Sequence, residues 1–264
     1  MLKNLASVFV LFVLVTVFIC PNVTKAEVVT DGLVAYWPLD EANIDGDAVE
    51  DVWGDNEGTI NGDLRTVTGR VGEALEFDGT GFVDIPGTDS LNFNGKEEMT
   101  VAAWANVASD DPVDGVVAGC CGSIVAQRDA NSWALRYDGR NGGQEMEFIV
   151  CPGWTGDSGF GAPRFAVGEW HHLAGVVTVS ELRLYLDGVL LGTIAFAGPI
   201  SSGGSETEIG HASDGGFIGM IDEVLIYDRA LSDAEIMQVF QSEGSAAAVN
   251  PNSKLAICWG EVKK

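Results

Sequence analysis

The stretch Gly219-Met-Ile-Asp-Glu-Val-Leu-Ile-Tyr-Asp-Arg-Ala-Leu-Ser232 constrains the fold more than any other part of this 264-residue sequence. From Ile221 to Tyr227 it is β-branched, apolar or aromatic apart from two carboxylates, the composition of a strand inside a sheet. Strict alternation puts Asp222, Val224 and Ile226 on one face and Ile221, Glu223, Leu225 and Tyr227 on the other. Each acid then lies among apolar neighbours, at a cost on the order of several kcal/mol unless a cation, a metal or several donors meet it. Directly afterwards Ser232-Asp-Ala-Glu235 forms a capping box, with Ile236, Val239 and Phe240 at helical spacing. A central strand therefore leads into a short docked helix.

The remaining apolar runs are short and strand-like. A strand from 32 to 40 ends where Pro38 withdraws its amide, and residues 41–63, acidic and without a period, read as a long surface loop. Asp45-Gly-Asp47 holds only a fragment of a calcium-loop pattern. Residues 73–77 and 82–85 flank the Asp78-Gly-Thr-Gly81 turn, a plausible metal-ligand loop. Residues 99–107 alternate around Trp104, and 123–127 with 133–137 form a hairpin across Arg128-Asp-Ala-Asn131. Further strands cover 146–150, 169–177, 181–186 and 189–194, the last two joined by the hairpin signal Asp187-Gly188. Many short strands, one terminal helix and no alternation of strand and helix give an all-β sandwich of two antiparallel sheets.

Residues 1–26 read as a secretory signal peptide, with Lys3 at the charged start, an apolar run and Thr24-Lys-Ala26 as the cleavage site. A lipoprotein anchor at Cys20 is the alternative, disfavoured by bulky Ile19 before it. The expected location is therefore secreted, extracellular or periplasmic. No later run is long and apolar enough to span a bilayer. Residues 27–244 form the expected domain, and 245–264 a linker and short tail carrying Cys258 and Trp259. The formal charge of -25 becomes -25 - 2 = -27 without Lys3 and Lys25, which argues against nucleic acid as a partner. In an oxidising compartment a disulfide from Cys120 or Cys121 to Cys151 is the preferred staple, and zinc is disfavoured because no His stands at ligand spacing.

Several of these segments together carry a resemblance: Ala35-Tyr-Trp-Pro-Leu-Asp40, Leu75-Glu-Phe-Asp-Gly79, Met99-Thr-Val-Ala-Ala-Trp104, Glu169-Trp-His-His-Leu173, Leu184-Tyr-Leu-Asp-Gly188 and the stretch 219–232. In this order and spacing they resemble the laminin-G-like jelly-roll domain of the concanavalin A-like lectin and glucanase superfamily, over roughly residues 30–243. The resemblance implies a two-sheet jelly roll with a concave ligand-facing side and a structural calcium opposite. Carried over by position, Asp222 would give the calcium a carboxylate, and Asp40 and Gly79 backbone oxygens, hard ligands suited to the ion. The alternative is that Asp222 accepts backbone donors or pairs with Arg229 or Arg70.

The related glucanases use Glu-x-Asp-x-x-Glu, and this chain lacks it: after Glu76-Phe-Asp78 the third acid is replaced by Gly81. Adjacent His171 and His172 face opposite sides of a strand and cannot act as one pair. A non-catalytic recognition module for glycan or an extracellular protein is the leading reading. Its contacts are Trp154, Phe160, Arg164, Trp133 and Arg136, rings for sugar faces and guanidiniums for bidentate bonds. Trp154 stands out because its neighbours Gly153, Thr155 and Gly156 cannot bury it. A structural or adhesive surface protein linked through Cys258 is the second reading, and a glycan-active enzyme the third.

Overall fold

The computed structural model describes residues 27–108, 113–114, 120–138, 145–157, 159–160 and 166–242, except for the side chains of 113, 114, 120 and 145. Residues 1–26, the expected signal peptide, the tail with Cys258, and Arg164 lie outside the described residues. In chain order the strands begin with β1 (Leu33–Trp37), β2 (Ile44–Asp45), β3 (Ala48–Val49), β4 (Gly58–Asn61), β5 (Arg65–Thr68) and β6 (Glu73–Asp78). They continue with β7 (Phe82–Ile85), β8 (Met99–Val107), β9 (Val113–Asp114), β10 (Cys120–Ala126), β11 (Trp133–Asp138) and β12 (Glu145–Val150). The last are β13 (Trp170–Val177), β14 (Glu181–Leu186), β15 (Val189–Ala195), β16 (Thr207–Ile209) and β17 (Gly216–Tyr227), followed by helix α1 (Asp233–Gln241).

These strands form two antiparallel sheets packed face to face. The first runs β15-β14-β13-β8-β17-β6-β5, with β1 and β9 also on β17, and the second runs β12-β11-β10-β16-β7-β4-β3-β2. Trp37, Leu75, Phe77, Ala103, Trp133, Leu135, Phe148, Leu184 and Ile221 fill the space between them, the alternating inner residues of both sheets. The outer side of the first sheet is covered by α1 and the residues before β1. There Ile236 and Val239 pack on Tyr36, Ala102, Leu225 and Tyr227. The helix starts where the sequence places it: Ser232 accepts from the Glu235 amide while Glu235 returns a bond to the Ser232 amide, 2.8 Å.

The central strand departs from strict alternation. Its ladder with β8 is irregular between Asp222 and Leu225, and Glu223 has a φ of +56°, which marks a β-bulge. The extra residue re-phases the strand: Ile221, Val224 and Ile226 all join the central core, while Leu225 and Tyr227 face outward. The bulge has a cause in the topology. Residues 218–221 pair with β6, whereas 224–227 pair with β1. The strand changes neighbour at Asp222 and Glu223, and the ladder has a gap there.

Two further expectations are corrected. Residues 41–63 are not a plain loop but carry β2, β3 and β4, and Asp45-Gly46-Asp47 is the turn of the β2–β3 hairpin. Cys151 is a free buried thiol, so the bridge from Cys120 or Cys121 to it does not form; Cys121 is disulfide-bonded, but not to Cys151. Register explains this. Cys120 pairs with Asp138 at one end of β11, and Val150, just before Cys151, pairs with Trp133 at the other. With β11 between them, two strand spacings of about 4.8 Å already exceed the ~7 Å between Cα atoms that a disulfide spans.

Candidate ligand face and buried acid cluster

The outer side of the second sheet has no helix over it among the described residues, and β11 projects Arg136 from its middle. Ser123 of β10 and Glu147 of β12 are its direct ladder partners, so the three side chains form one row. Arg136 is only 2 % exposed, and a buried guanidinium requires compensation. Its Nε and Nη2 donate to Glu147 at 3.1 and 2.9 Å, Nη1 to Asp214 at 3.0 Å, and Nη2 to Asp157, with Asp138 3.5 Å away. Burial pushes the Glu147 carboxyl up to about 8 against the pull of Arg136. The Ser123 hydroxyl, wholly buried, has no partner.

Oxygens of Asp138, Glu147 and Asp157 lie within 4.8 Å of one another, close enough to hold a metal. Arg136 Nη2 contacts all three, however. The guanidinium thus fills the position that a cation would take.

Arg136 also orders the rim. Asp214, which it binds, takes Arg128 Nε at 2.6 Å and Nη2 at 3.3 Å, and the Arg128 guanidinium lies 3.7 Å from the Trp154 ring centroid. Trp154 is half-buried against Ala126, Ala134, Ile149 and Ala212. Loops after β10, after β12 and before β17 thereby present one aromatic ring beside Arg128, Asp157 and Asp214. Further along the face Asp84 of β7 pairs with Glu208 of β16, and His211 Nδ1 lies 3.3 Å from Glu208 with its ring stacked on Phe82.

Of the five contacts expected from sequence, Trp154 and Arg136 meet here. Trp133 does not: it is fully buried between the sheets, edge-on to Phe93, because alternation in β11 turns 133, 135 and 137 inward and 134, 136 and 138 outward. Phe160 is turned toward the central core and lies against Gly192 of β15, and Arg164 is outside the described residues. Sequence reading missed Arg128, Asp138, Glu147, Asp157 and Asp214. The signal for one pair was present: Arg136 and Glu147 fall on the outward phase of neighbouring hairpin strands.

The second cluster lies where the central strand changes neighbour, on the helix-covered side. Asp222 Oδ2 accepts from the amides of Arg70 and Val71 at 2.8 and 2.9 Å, and the neighbouring Asp40 Oδ1 accepts from the Glu73 amide at 2.6 Å. A Cβ on Gly69 would stand 2.6 Å from Asp222 Oδ2, so the loop wraps the carboxylate closely. Arg70 and Val71 lie in the turn between β5 and β6, where their amides have no strand partner, and the acids supply acceptors to that turn. Asp222 Oδ1 remains buried and unpartnered. Burial pushes Asp222 up to about 7, with Asp40 adding to it. Glu223, reached by the Tyr36 hydroxyl at 2.5 Å, is pushed up to about 8 by burial and by Asp222. Gly79 does not join them. It follows Asp78, which pairs with Ile218, while Leu75 pairs with Ile221; the turn therefore lies about four residues, roughly 13 Å, from Asp222 along the ladder. The Asp78 carboxylate caps the Thr80 and Gly81 amides instead.

Beside this cluster Trp104 of β8 stands between Asp222 and His172 in the ladders. Arg70 lies 4.6 Å over its ring, while His172 and Phe240 pack against it. Both His172 nitrogens are buried without a partner, and burial lowers its pKa to about 4. It is a neutral packing residue, as expected of the His pair. His171 instead meets Asp187 at 2.8 Å.

A family model described as the concanavalin A-like lectin/glucanases superfamily, of the laminin G type, matches residues 77–237. No curated protein matches the chain. Among solved structures it is similar to domain 4 of a GH43 extracellular arabinanase from Geobacillus stearothermophilus, in complex with arabinotriose. That match has 19 % identity and a TM-score of 0.59, over 83 % of this chain and 100 % of that one. Trypanosoma rangeli sialidase in complex with 2,3-difluorosialic acid matches at 16 % identity and a TM-score of 0.58, over 83 % of this chain but 34 % of the sialidase. The binding domain of botulinum neurotoxin DC in complex with SialylT matches at 13 % identity and 0.55, over 82 % of this chain and 52 % of that one. At such identities these likenesses speak for the fold alone. With the family model covering well over half of its length, the chain belongs to the concanavalin A-like lectin/glucanases superfamily.

Proposed function

We propose that the chain is an exported, non-catalytic carbohydrate-recognition module that takes its ligand on the outer face of the second sheet. One observation carries this reading: a half-exposed Trp154, locked beside Arg128, stands next to the carboxylates of Asp157 and Asp214 at the rim. Sugars are recognised by an aromatic ring against their C–H faces together with planar polar groups for their hydroxyls. The carbohydrate complexes of similarly folded domains are consistent with it. Hydrolysis is disfavoured because the carboxylates clustered on this face are engaged by Arg136, leaving none of them free to serve as a nucleophile and acid pair.

A calcium ion fits the other side of the molecule. The unpartnered Asp222 Oδ1 and the nearby Asp40 carboxylate are hard ligands whose mutual repulsion a divalent cation would relieve. Asp222 and Asp40 would hold it without Gly79, and its part there would be structural, closing the gap between β6 and β1.

The recognition reading is tested by titrating the domain with soluble oligosaccharides and comparing Trp154→Ala. The variant is expected to keep its melting temperature within a few degrees and to lose about tenfold or more in affinity, the loss of one stacked ring. Unchanged affinity would remove Trp154 from the site.

A further inference from the structure

We infer that the C-terminal segment 254–264 of this same chain docks in the groove between helix α1 and strand β15, on the outer side of the first sheet. The helix lies between two flanks. On one, Gln238 Nε2 donates to the Glu27 carbonyl at 2.8 Å, and Val28 and Val29 are buried in the cluster beneath the helix. On the other, the Tyr185 hydroxyl donates to Asp233 at 2.7 Å, and a Cβ on Gly188 would stand 2.8 Å from Met237 Cε and 3.2 Å from Phe240 Cδ1. The helix therefore runs along β14 and over the β14–β15 turn. Leu190 of β15 pairs with Tyr185, so it stands one strand further out than the helix. Apolar surface is left in water there: Val189 is 59 % exposed and Leu190 40 %, beside half-buried Met237 and Phe240 and exposed Ala234. Single apolar residues on a surface need no explanation, but adjacent ones that continue the apolar side of a docked helix mark a contact.

Pattern, charge and reach name the occupant. Leu255-Ala-Ile-Cys-Trp259 lies between Lys254 and the pair Lys263-Lys264. In an extended chain Leu255, Ile257 and Trp259 would turn to one side and the smaller Ala256 and Cys258 to the other, which gives the groove three large apolar side chains in a row. The charges are complementary. Residues 27–242 carry 9 Lys and Arg against 37 Asp and Glu, 9 - 37 = -28, whereas residues 254–264 carry 3 against 1, 3 - 1 = +2. The connection is short. Residues 243–253 span up to about 36 Å, and they start two residues beyond Phe240 and Gln241, at the groove itself. A tether of that length holds the segment at an effective concentration on the order of millimolar, so a contact of modest strength is occupied within one chain before a second copy can compete.

The test is digestion of the chain from Glu27 onward with a lysine-specific protease, read by mass spectrometry. Its lysines are Lys96, Lys254, Lys263 and Lys264. Cleavage after Lys254 reports on the docked segment, and cleavage after Lys96, between β7 and β8, on the domain. The bond after Lys254 is expected to be cut at least tenfold more slowly in the native chain than in Leu190→Lys or Trp259→Ser, because cleavage follows the undocked population. The two substitutions remove the same contact, so the double variant is expected to be cut no faster than either single one. Leu190 is exposed, and cleavage after Lys96 is expected to stay unchanged in Leu190→Lys, which shows that the domain remains folded. Equal rates after Lys254 in the native chain and both variants overturn the proposal. So does a native chain that elutes as a dimer while both variants elute as monomers, since the groove then takes its occupant from a second copy.

Discussion

Arg136 is a charge that the fold has taken out of water, and the residues around it follow from that. A buried cation paired on three sides contributes little net stability over an apolar core, but removing one partner strands the others. Arg136→Leu removes the guanidinium that Glu147 binds and is expected to cost about 3–5 kcal/mol in urea unfolding. Glu147→Leu added to it is expected to recover a large part of that loss. A cost below about 1 kcal/mol for the single variant would show that the network does not hold the rim together. The same substitution removes one of the two guanidiniums that hold Asp214, leaving it to Arg128 alone, so Arg136 acts on any ligand by positioning the rim rather than by touching it.

At the level of elements, α1 and β17 differ in how openly the sequence declares them. The capping box of α1 is a local pattern, each partner within three residues, and its boundary stood in the sequence as it stands in the fold. Ser232→Ala is expected to cost about 1 kcal/mol, roughly 2–4 °C in Tm for a domain of this size. No change would mean that packing of Ile236 and Val239 alone seats the helix. The bulge in β17 was hidden. It exists because β6 and β1 share one edge of a 12-residue strand, a tertiary fact no window of sequence contains. The sequence did reveal that Asp222 and Glu223 needed partners, while the partners, backbone amides at 70 and 71 and the Tyr36 hydroxyl, lie more than a hundred residues away. Trp133 and Trp154 make the same point on the ligand face. Glycine neighbours suggested that nothing could bury Trp154, yet it is half-buried on Ala126, Ala134, Ile149 and Ala212, residues distant in sequence, and Trp133 could be assigned inward only by following the phase of its strand.

On the scale of the whole molecule, buried ionisable groups set how stability follows pH. Asp222, Glu223 and Glu147 are held near 7, 8 and 8 by burial, against about 4 in an unfolded chain. Between those values the folded state binds more protons, so this contribution is fully present at low pH and is lost as pH rises through 7 to 8. His172 works in the opposite sense. Its pKa falls to about 4 from an ordinary value near 6.5, so its contribution is present above that value and is lost as pH falls through 4. Acidification from pH 9 to about 6.5 is therefore expected to raise the Tm of the chelator-treated protein by roughly 5–10 °C, a change on the order of a few kcal/mol. The decline in the chain's large negative charge acts in the same direction. Below pH 6.5 His172 offsets one of the three carboxyl contributions, so the rise is expected to continue at a shallower slope. Thermal melts across pH 4–9 check both limbs. Glu223→Gln, which cannot ionise, is expected to make the alkaline limb shallower, while His172→Phe is expected to steepen the rise between pH 6.5 and 4. Calcium supplies a second control: an ion that keeps Asp222 charged removes its share of the alkaline loss, so the slope between pH 7 and 9 becomes shallower with calcium than with chelator, and stays the same in Asp222→Ala. A Tm that rises steadily from pH 6 to 9 in chelator would mean that these carboxyls are ionised within the fold, and that the gap between β6 and β1 is held by charge.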